Sequence, residues 1–357
     1  MAVGESDPPQ VLIVSLGSTE GLRRADEELR ASLERAGASV ALVSARRPRP
    51  VRTLMLTDLA WARAARAAAI EGLVRAGARD GGGPAIVYSS TTAALLWPRP
   101  GAIRFDASCA GNRPGRHGLW QRPLERRRLA QAPLLLPWSE GALREAPRAA
   151  REGGRALVLP VPVEPSGPLE PYERRDVAAI TYAANPMKKG LDRVLEAWRA
   201  VHPRLPPEGP RELVVAGVSE TELRRAGLDL AGAPGVRLTG PLAQQDYRAL
   251  VRRARVFVCA PRREDYGIAQ LEALADGCML VTTSAPGPYA ALPLAQALDA
   301  RLVDEELAGA LRVGLLEPRE GYAQRAREAL TAAARPAVDR LVAGELLARL
   351  VAPAVPQ

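Results

Sequence analysis

Short runs of β-branched and aliphatic residues recur along this chain, each followed by a stretch with helical spacing, and the series starts twice. The first series has strand-like runs at Val11–Val14, Val40–Val43, Ala85–Tyr88, Ala102–Phe105 and Leu134–Leu136. Helices are expected from Leu22 to Ala36, stopped by Gly37, and from Asp58 to Ala76. The second series has strands at Val177–Tyr182, Leu213–Ala216, Val236–Thr239, Val256–Cys259 and Met279–Val281. Its helices are expected over Lys189–Val201, Glu220–Ala226, Gln244–Arg252 and Gly267–Ala275. Strands that alternate with helices imply a parallel sheet covered on both faces. The fold class is therefore α/β, with two doubly wound, Rossmann-like domains. The proline-rich stretch up to Tyr172 reads as the connection between them. The expected divisions are residues 1–160, residues 161–335, and a C-terminal helical segment, 336–357, crossing back to the N-terminal domain. Ligands of doubly wound sheets bind beyond the carboxyl ends of the strands, so two such domains facing across a cleft would place the site there.

Composition narrows the function classes. No run of eighteen apolar residues occurs, and Met1 to Pro9 is polar rather than a charged and then apolar leader, so the expected location is the cytoplasm. Cys109, Cys259 and Cys278 match neither a zinc spacing nor a disulfide framework. The net charge of +9 invites nucleic acid, but no aromatic-basic motif accompanies it, and no nucleic-acid partner is expected. Peripheral contact with an anionic membrane, or an acidic acceptor, stays open. Of the 49 basic residues only Lys188 and Lys189 are lysine, the only asparagines are Asn112 and Asn185, and His117 is one of two histidines. Residues that persist against such an arginine-rich background mark 112–117 and 185–189 as segments to inspect.

The chain has no G-x-G-x-x-G after Val14 or Tyr182, no G-x-x-x-x-G-K-[ST] and no H-E-x-x-H, which weakens the dinucleotide, P-loop and zinc-hydrolase readings. The run Val256–Cys259 instead ends in Ala260-Pro261-Arg262-Arg263-Glu264-Asp265-Tyr266-Gly267 and enters the apolar helix Ile268-Ala269-Gln270-Leu271-Glu272. A loop here delivers carboxylates and a glycine to a helix N-terminus, whose unpaired N–H groups and macrodipole can hold a phosphate. Glu264, an acceptor of hydrogen bonds only, suits sugar hydroxyls. Glu272, two helical turns on, is suited to a ribose diol or is simply a solvated helix glutamate.

Glu264, seven residues and Glu272 together resemble the E-x7-E signature of retaining GT-B glycosyltransferases, particularly family 4. Lys189-Gly190-Leu191-Asp192-Arg193-Val194-Leu195-Glu196-Ala197 resembles that family's K-G-x-x-x-L-x-x-A segment, with Val194 at the leucine position. The resemblance covers residues 176 to 283 and implies a hexosyltransferase-type enzyme. It would take a UDP- or GDP-linked sugar as substrate, with no cofactor, and pass the sugar to a small-molecule, glycan or lipid-linked acceptor, with residues 1–160 as the acceptor-side domain and residues 161–335 as the donor-binding domain. It implies a donor site of Gly17, Asn185, Lys188, Lys189, Gly217, Glu264, Asp265, Tyr266, Gly267, Ile268 and Glu272. Lys189 would hold the diphosphate, Glu264 the transferred sugar and Glu272 the ribose. The family's arginine five residues before the lysine is Ala184 here, which shifts that burden to Lys188, Asn185 or an arginine such as Arg262. Where family members carry a histidine facing the donor sugar, this chain offers Asp106 or His117, and either is also explained as a structural residue. No D-x-D ends a strand, and no metal is expected. Three other readings compete: glycoside hydrolysis by the two carboxylates, a nucleotide-sugar epimerase of the same fold, and a non-catalytic binding subunit. Nothing in the sequence sets the oligomeric state.

Overall fold

Strands whose every side chain is apolar must be covered on both faces, and the period of two sends alternate residues to opposite layers. β1 (Val11–Ser15) shows this directly. Leu12 and Val14 join one core cluster with Ala65 and Ala69 of the helix Leu54–Arg75, while Val11 and Ile13 join another with Leu29 and Leu33 of the helix Glu20–Arg35. The second cluster is completed by Val338, Val342 and Leu346, so the end of the chain supplies part of the layer covering this sheet. Arg35 reinforces the contact with a forked pair of hydrogen bonds to Asp339, both 2.8 Å, and Arg335 pairs with Glu28. The computed structural model describes residues 10–351 apart from 50, 52, 79–81 and 153, so Met1–Pro9 and 352–357 of the expected C-terminal segment lie outside the described residues.

The chain divides into two units, residues up to Pro162 together with Arg335 onward, and Val163–Ala334. The first unit holds β1, β2 (Val40–Ser44), β3 (Ala85–Tyr88), β4 (Ala102–Phe105) and β5 (Leu135–Pro137), all parallel, in the order β2-β1-β3-β4-β5. The second holds β6 (Val177–Tyr182), β7 (Leu213–Ala216), β8 (Val236–Gly240), β9 (Ala254–Cys259) and β10 (Met279–Thr282), also parallel, in the order β10-β9-β6-β7-β8. Each sheet is the five-stranded doubly wound sheet expected from the alternation of elements. The stretch from Pro318 to Leu350 is helical but broken. The helix Tyr322–Ala329 is followed by a 3₁₀ turn, the helix Arg335–Leu341, a wide turn at Val342–Leu346 and the helix Leu347–Val351. Pro336, which tolerates only the first turn of a helix, forces the restart. Among the described residues, no helix is long and apolar enough to cross a membrane.

A buried polar cluster lies beneath the end of β1. Asp26 is fully buried and accepts from Ser15 Oγ, and Arg104 of β4, equally buried, donates to the Ala25 carbonyl at 2.9 Å and stands 3.5 Å from Asp26. The Arg104 guanidinium also lies 4.8 Å over the Trp138 ring. Burial pushes the Asp26 carboxyl from 3.8 up to about 6, against the opposing pull of Arg104, Ser15 and Ser89. A carboxyl whose folded value is raised contributes stability that is complete below its unfolded value of 3.8 and is lost as pH rises through about 6. Asp26→Asn removes that titration. The stability advantage of the parent over the variant, measured by denaturant unfolding, should therefore fall as pH rises across this window, and a difference that stays flat would contradict the burial-dominated account.

Candidate functional site

In the second unit the chain leaves β6 for β7 and β8 on one side and returns to β9 and β10 on the other. The connections after β6 and β9 part, and the crevice beyond their carboxyl ends is where ligands of such sheets bind. Both of the loops that carry the sequence motifs, 183–190 and 260–267, end there.

After β6, Asn185 closes a turn. Its side-chain oxygen accepts from the Lys188 N–H at 3.1 Å, and its backbone carbonyl accepts from the Lys189 N–H at 2.9 Å. The helix expected from Lys189 therefore begins at Leu191, and both lysines stand in the turn before it. Gly190, at φ +66°, caps that helix. A Cβ there would lie 1.8 Å from the Ala260 carbonyl oxygen, so only glycine permits this approach to the end of β9. Arg262 N–H donates to the Lys188 carbonyl at 3.0 Å and joins the two loops.

The β9 loop is held from its other side by the segment after β10. Glu264 N–H donates to the Pro286 carbonyl at 3.0 Å, the Glu264 carbonyl accepts from Tyr289 at 3.3 Å, and the carbonyl of the buried Tyr266 accepts from Ala290 at 3.1 Å. Gly287, at φ +119°, lies flat against the Glu264 carbonyl. The loop ends at Gly267, a left-handed cap of the helix Ile268–Ala275 that, like Gly190, offers no side chain to the first helical N–H groups. Two helix N-termini without side-chain caps thus follow the two central strands, each carrying partial positive charge.

The charged side chains form two linked pairs. Lys189 Nζ lies 2.7 Å from Glu264 Oε2, which also accepts from Gln270 Nε2 at 3.0 Å. Lys188 Nζ lies 3.4 Å from Asp265 Oδ2, and Arg263 Nε donates to Asp265 Oδ1 at 3.0 Å. Both carboxylates are buried, while the Lys188 side chain is 46% exposed. Three cations thus meet two carboxylates beside two helix N-termini, a site suited to a polyanion with a hydroxyl-bearing group next to it. Arg263 carries no sequence signal that would single it out from the other arginines. Arg262, one of the replacements considered for the arginine absent at Ala184, is instead clamped on Asp192 at 2.7 and 3.0 Å and on the Met187 carbonyl.

Glu272 is not the solvated helix glutamate that its spacing alone allows. It is buried and accepts from Gln244 Nε2 at 3.0 Å, with Arg248 Nη1 at 3.5 Å. Arg248 also donates to Asp276 at 2.6 Å and to the Glu164 carbonyl at 2.9 Å, while Asp276 accepts from the Ser166 N–H and hydroxyl. Burial works against the Arg248 charge, but Asp276 and Glu272 more than offset it and hold the guanidinium above its usual value. Gly217, at φ +84° after β7, lies against the Tyr182 ring, and a Cβ would meet that ring at 2.8 Å. Ile268 opens the helix after Gly267, only partly exposed. A larger cavity of about 470 Å³ beside Tyr172, Met279 and Tyr322 contains none of these residues and lies at the amino ends of β6 and β10, away from the ligand end of the sheet.

In the first unit the switch falls between β1 and β3. A cavity of about 250 Å³ opens beyond them, lined among others by Ser18, Asp106 and Asn112. Gly17, at φ +57°, turns the loop after β1, and its carbonyl accepts from Arg23 at 2.9 Å. The structure separates the two candidates of this unit: Asp106 lines the cavity, whereas His117 is exposed on the 3₁₀ turn Gly115–Gly118 and does not line it. The cavity also contains an ion pair that no spacing announces, Arg113 to Asp58 at 2.6 and 2.9 Å across 55 positions.

Comparison with known proteins agrees with this architecture. Residues 176–312 match the family model for glycosyl transferases group 1. The GDP-mannose:cellobiosyl-diphosphopolyprenol alpha-mannosyltransferases of Xanthomonas oryzae pv. oryzae (strain PXO99A) and Xanthomonas campestris are 32% and 33% identical over 104 residues, which is 28% of this chain and 27% of theirs. Among solved structures, WaaG, a glycosyltransferase involved in lipopolysaccharide biosynthesis, superposes with a TM-score of 0.66 at 16% identity, over 92% of this chain and 98% of its own. Anabaena HepE in complex with UDP-glucose gives 0.65 at 13% identity, over 94% and 98%. The trehalose-6-phosphate synthase OtsA gives 0.66 at 14%, over 98% and 100%. The fold is GT-B, with two Rossmann-like units.

The approach of Gly190 to Ala260 sets a contrast between two substitutions. Gly227→Ala imposes the same left-handed strain, at φ +72°, but meets nothing within 4 Å, and should cost about 1 kcal/mol. Gly190→Ala adds a backbone overlap and should cost about 3 kcal/mol or more. Equal costs in chemical denaturation would contradict the close packing of the two loops.

Proposed function

We propose, on the premise of a GT-B chain whose second unit matches the group 1 glycosyl transferases, that the protein moves a sugar from a nucleoside diphosphate to a hydroxyl acceptor with retention at the anomeric carbon. The observation that carries this reading is the contact of Lys189 with Glu264 at the β6/β9 switch point, beside two helix N-termini without side-chain caps. A nucleotide-sugar presents a diphosphate next to a polyhydroxylated ring, and the crevice presents cations and N–H groups next to buried carboxylates.

In the reaction the bond from the anomeric carbon to the diphosphate oxygen breaks, the acceptor oxygen bonds to that carbon, and the acceptor proton passes to the departing phosphate. Negative charge grows on the diphosphate as the bond breaks, and Lys188, Lys189 and the helix N-terminus after Gly267 lower the barrier by meeting it there. Glu264 turns from Lys189 toward a hydroxyl of the transferred sugar, and Glu272, fixed by Gln244 and Arg248, takes the ribose diol. Attack from the face that the diphosphate leaves gives retention and needs no enzymic nucleophile. A UDP- or GDP-linked hexose is the proposed donor. Support comes from the GDP-mannose named for the curated relatives and the UDP-glucose bound by a structural neighbour. The acceptor is a small molecule, a glycan or a lipid-linked glycan.

One observation favours a second reading, a non-catalytic nucleotide-sugar-binding subunit: position 184 is alanine, and Arg262 is committed to Asp192. UDP, GDP and ADP separate the cases. The nucleotide that is recognised should stabilise the protein by about 2.7 kcal/mol at a hundredfold excess over its Kd. Lys189→Ala should weaken nucleotide-sugar use about 100-fold in kcat/KM. Stabilisation without transfer or donor hydrolysis favours the subunit reading, and stabilisation by none of the three overturns both.

A further inference from the structure

We infer that Gln270 is a positioning residue of the donor site: its side-chain amide holds the carboxylate of Glu264 in place for a hydroxyl of the transferred sugar when Lys189 turns to the diphosphate. The role rests on the transferase reading, and nothing in the E-x7-E spacing singles Gln270 out. Gln270 is the third residue of the helix Ile268–Ala275 and is 2% exposed. Leu271, Ala273, Leu274 and Ala275, buried on the same helix, are apolar, and packing alone would put an apolar residue at 270 as well.

The carboxylate fixes which way round the amide stands. Glu264 Oε2 can only accept, and it takes one hydrogen bond from Gln270 Nε2 at 3.0 Å and one from Lys189 Nζ at 2.7 Å. The amide oxygen is thereby sent toward the start of the helix, where a Cβ at Gly267 would stand 3.4 Å from it. There Oε1 is buried and accepts nothing from the described residues, and turning the amide over would set that oxygen against the carboxylate. A buried amide with an unmet acceptor costs stability, and what it supplies in return is the second hydrogen bond on Glu264. A lysine or arginine at 270 would hold the same oxygen, but as an ion pair that competes with any hydroxyl. The amide donates without charge and leaves the carboxylate an acceptor. When a diphosphate draws Lys189 away, Glu264 Oε2 keeps its bond to Gln270 as a pivot, and Oε1 of Glu264 is the oxygen that a sugar hydroxyl meets. Cys259 Sγ lies 3.7 Å from Gln270 Nε2 and is itself in contact with Thr282 and Tyr289. Burial pushes the Cys259 thiol and the Tyr289 phenol above their usual values, so among the described residues facing the amide the groups charged near neutral pH are Glu264 and Lys189.

Calorimetric titration of the full chain with UDP, UDP-glucose, GDP and GDP-mannose tests this, because Gln270 acts on the sugar through Glu264 and leaves the nucleotide to other residues. Gln270→Met, of similar volume and without an amide, should weaken the nucleotide-sugar that the parent binds about ten-fold and leave the matching nucleotide within about two-fold of the parent. Gln270→Glu sets a second carboxyl against Glu264, and two such groups share one proton. At about pH 5 that proton restores a hydrogen bond to Glu264, so the nucleotide-sugar affinity of Gln270→Glu should approach the parent's, and by about pH 8 it should fall well below it. A side chain that only fills space would show no such recovery, and this second variant carries the test alone where Gln270→Met does not fold. An unchanged nucleotide-sugar affinity in Gln270→Met, equal weakening of nucleotide and nucleotide-sugar, or a Gln270→Glu deficit that is the same at both pH values overturns the positioning role. A parent that binds none of the four compounds overturns the transferase reading, and this role falls with it. A parent that binds them and is matched by both variants leaves that reading standing and removes Gln270 from the site.

Discussion

The backbone hydrogen bonds that hold Glu264 between the Pro286 carbonyl and the Tyr289 N–H fix its position before its side chain engages anything. A loop at the end of a parallel strand has no ladder partner of its own, and here the neighbouring loops supply one on each side: Lys188 accepts from Arg262, and Pro286 accepts from Glu264. Two glycines make the sandwich possible, since a side chain at Gly190 would strike Ala260 and one at Gly287 would strike the Glu264 carbonyl. The carboxylate of Glu264, the turn of Lys188 and Lys189, and the glycine-capped start of the helix Ile268–Ala275 are thus parts of one packed unit. For the proposed transfer this means that the loop backbone and the helix N–H groups are already in place when a leaving group develops charge, and only the side chains of Lys189 and Glu264 have to turn.

Behind that loop runs a second layer of buried charge. Arg248 bridges Glu272 and Asp276, and Asp276 receives Ser166 at the start of the second unit. Replacing one partner of such a buried set leaves an uncompensated charge and costs roughly 3–5 kcal/mol, far above the ~0–1 kcal/mol of an exposed pair such as Arg253–Asp176. The network therefore does two things at once. It ties residues 164–166, at the start of the second unit, to the end of the helix, and it sets the carboxylate of Glu272 in one place, with Gln244 holding the same oxygen.

The sheets were legible in the sequence because their strands are unbroken apolar runs. Ala85–Tyr88, Ala102–Phe105, Val177–Tyr182 and Leu213–Ala216 have the same bounds in the fold as in the pattern. Helix starts were less so. Thr19 and Thr53 cap helices that begin two and four residues before the apolar periodicity does, and the lysine turn delays another by two. The switch-point loops could be read from local spacing and from two lysines surviving in an arginine-rich chain. Contacts between distant positions could not: Asp58 with Arg113, Arg248 with Glu272, and the exposure that separates His117 from Asp106 depend on which strands become neighbours. The sequence also gave no warning that Arg262 would be committed to Asp192.

A nucleoside diphosphate seated at the β6/β9 switch point, as proposed, should be visible in hydrogen exchange read by mass spectrometry with and without UDP or GDP. Ordering of the uncapped N–H groups by the diphosphate should slow exchange in peptides covering 183–192 and 260–270, while peptides around 170–175 and 318–324, at the opposite end of the sheet, stay unchanged. Protection confined to the latter, or none in the two switch-point loops despite saturating nucleotide, would contradict the account.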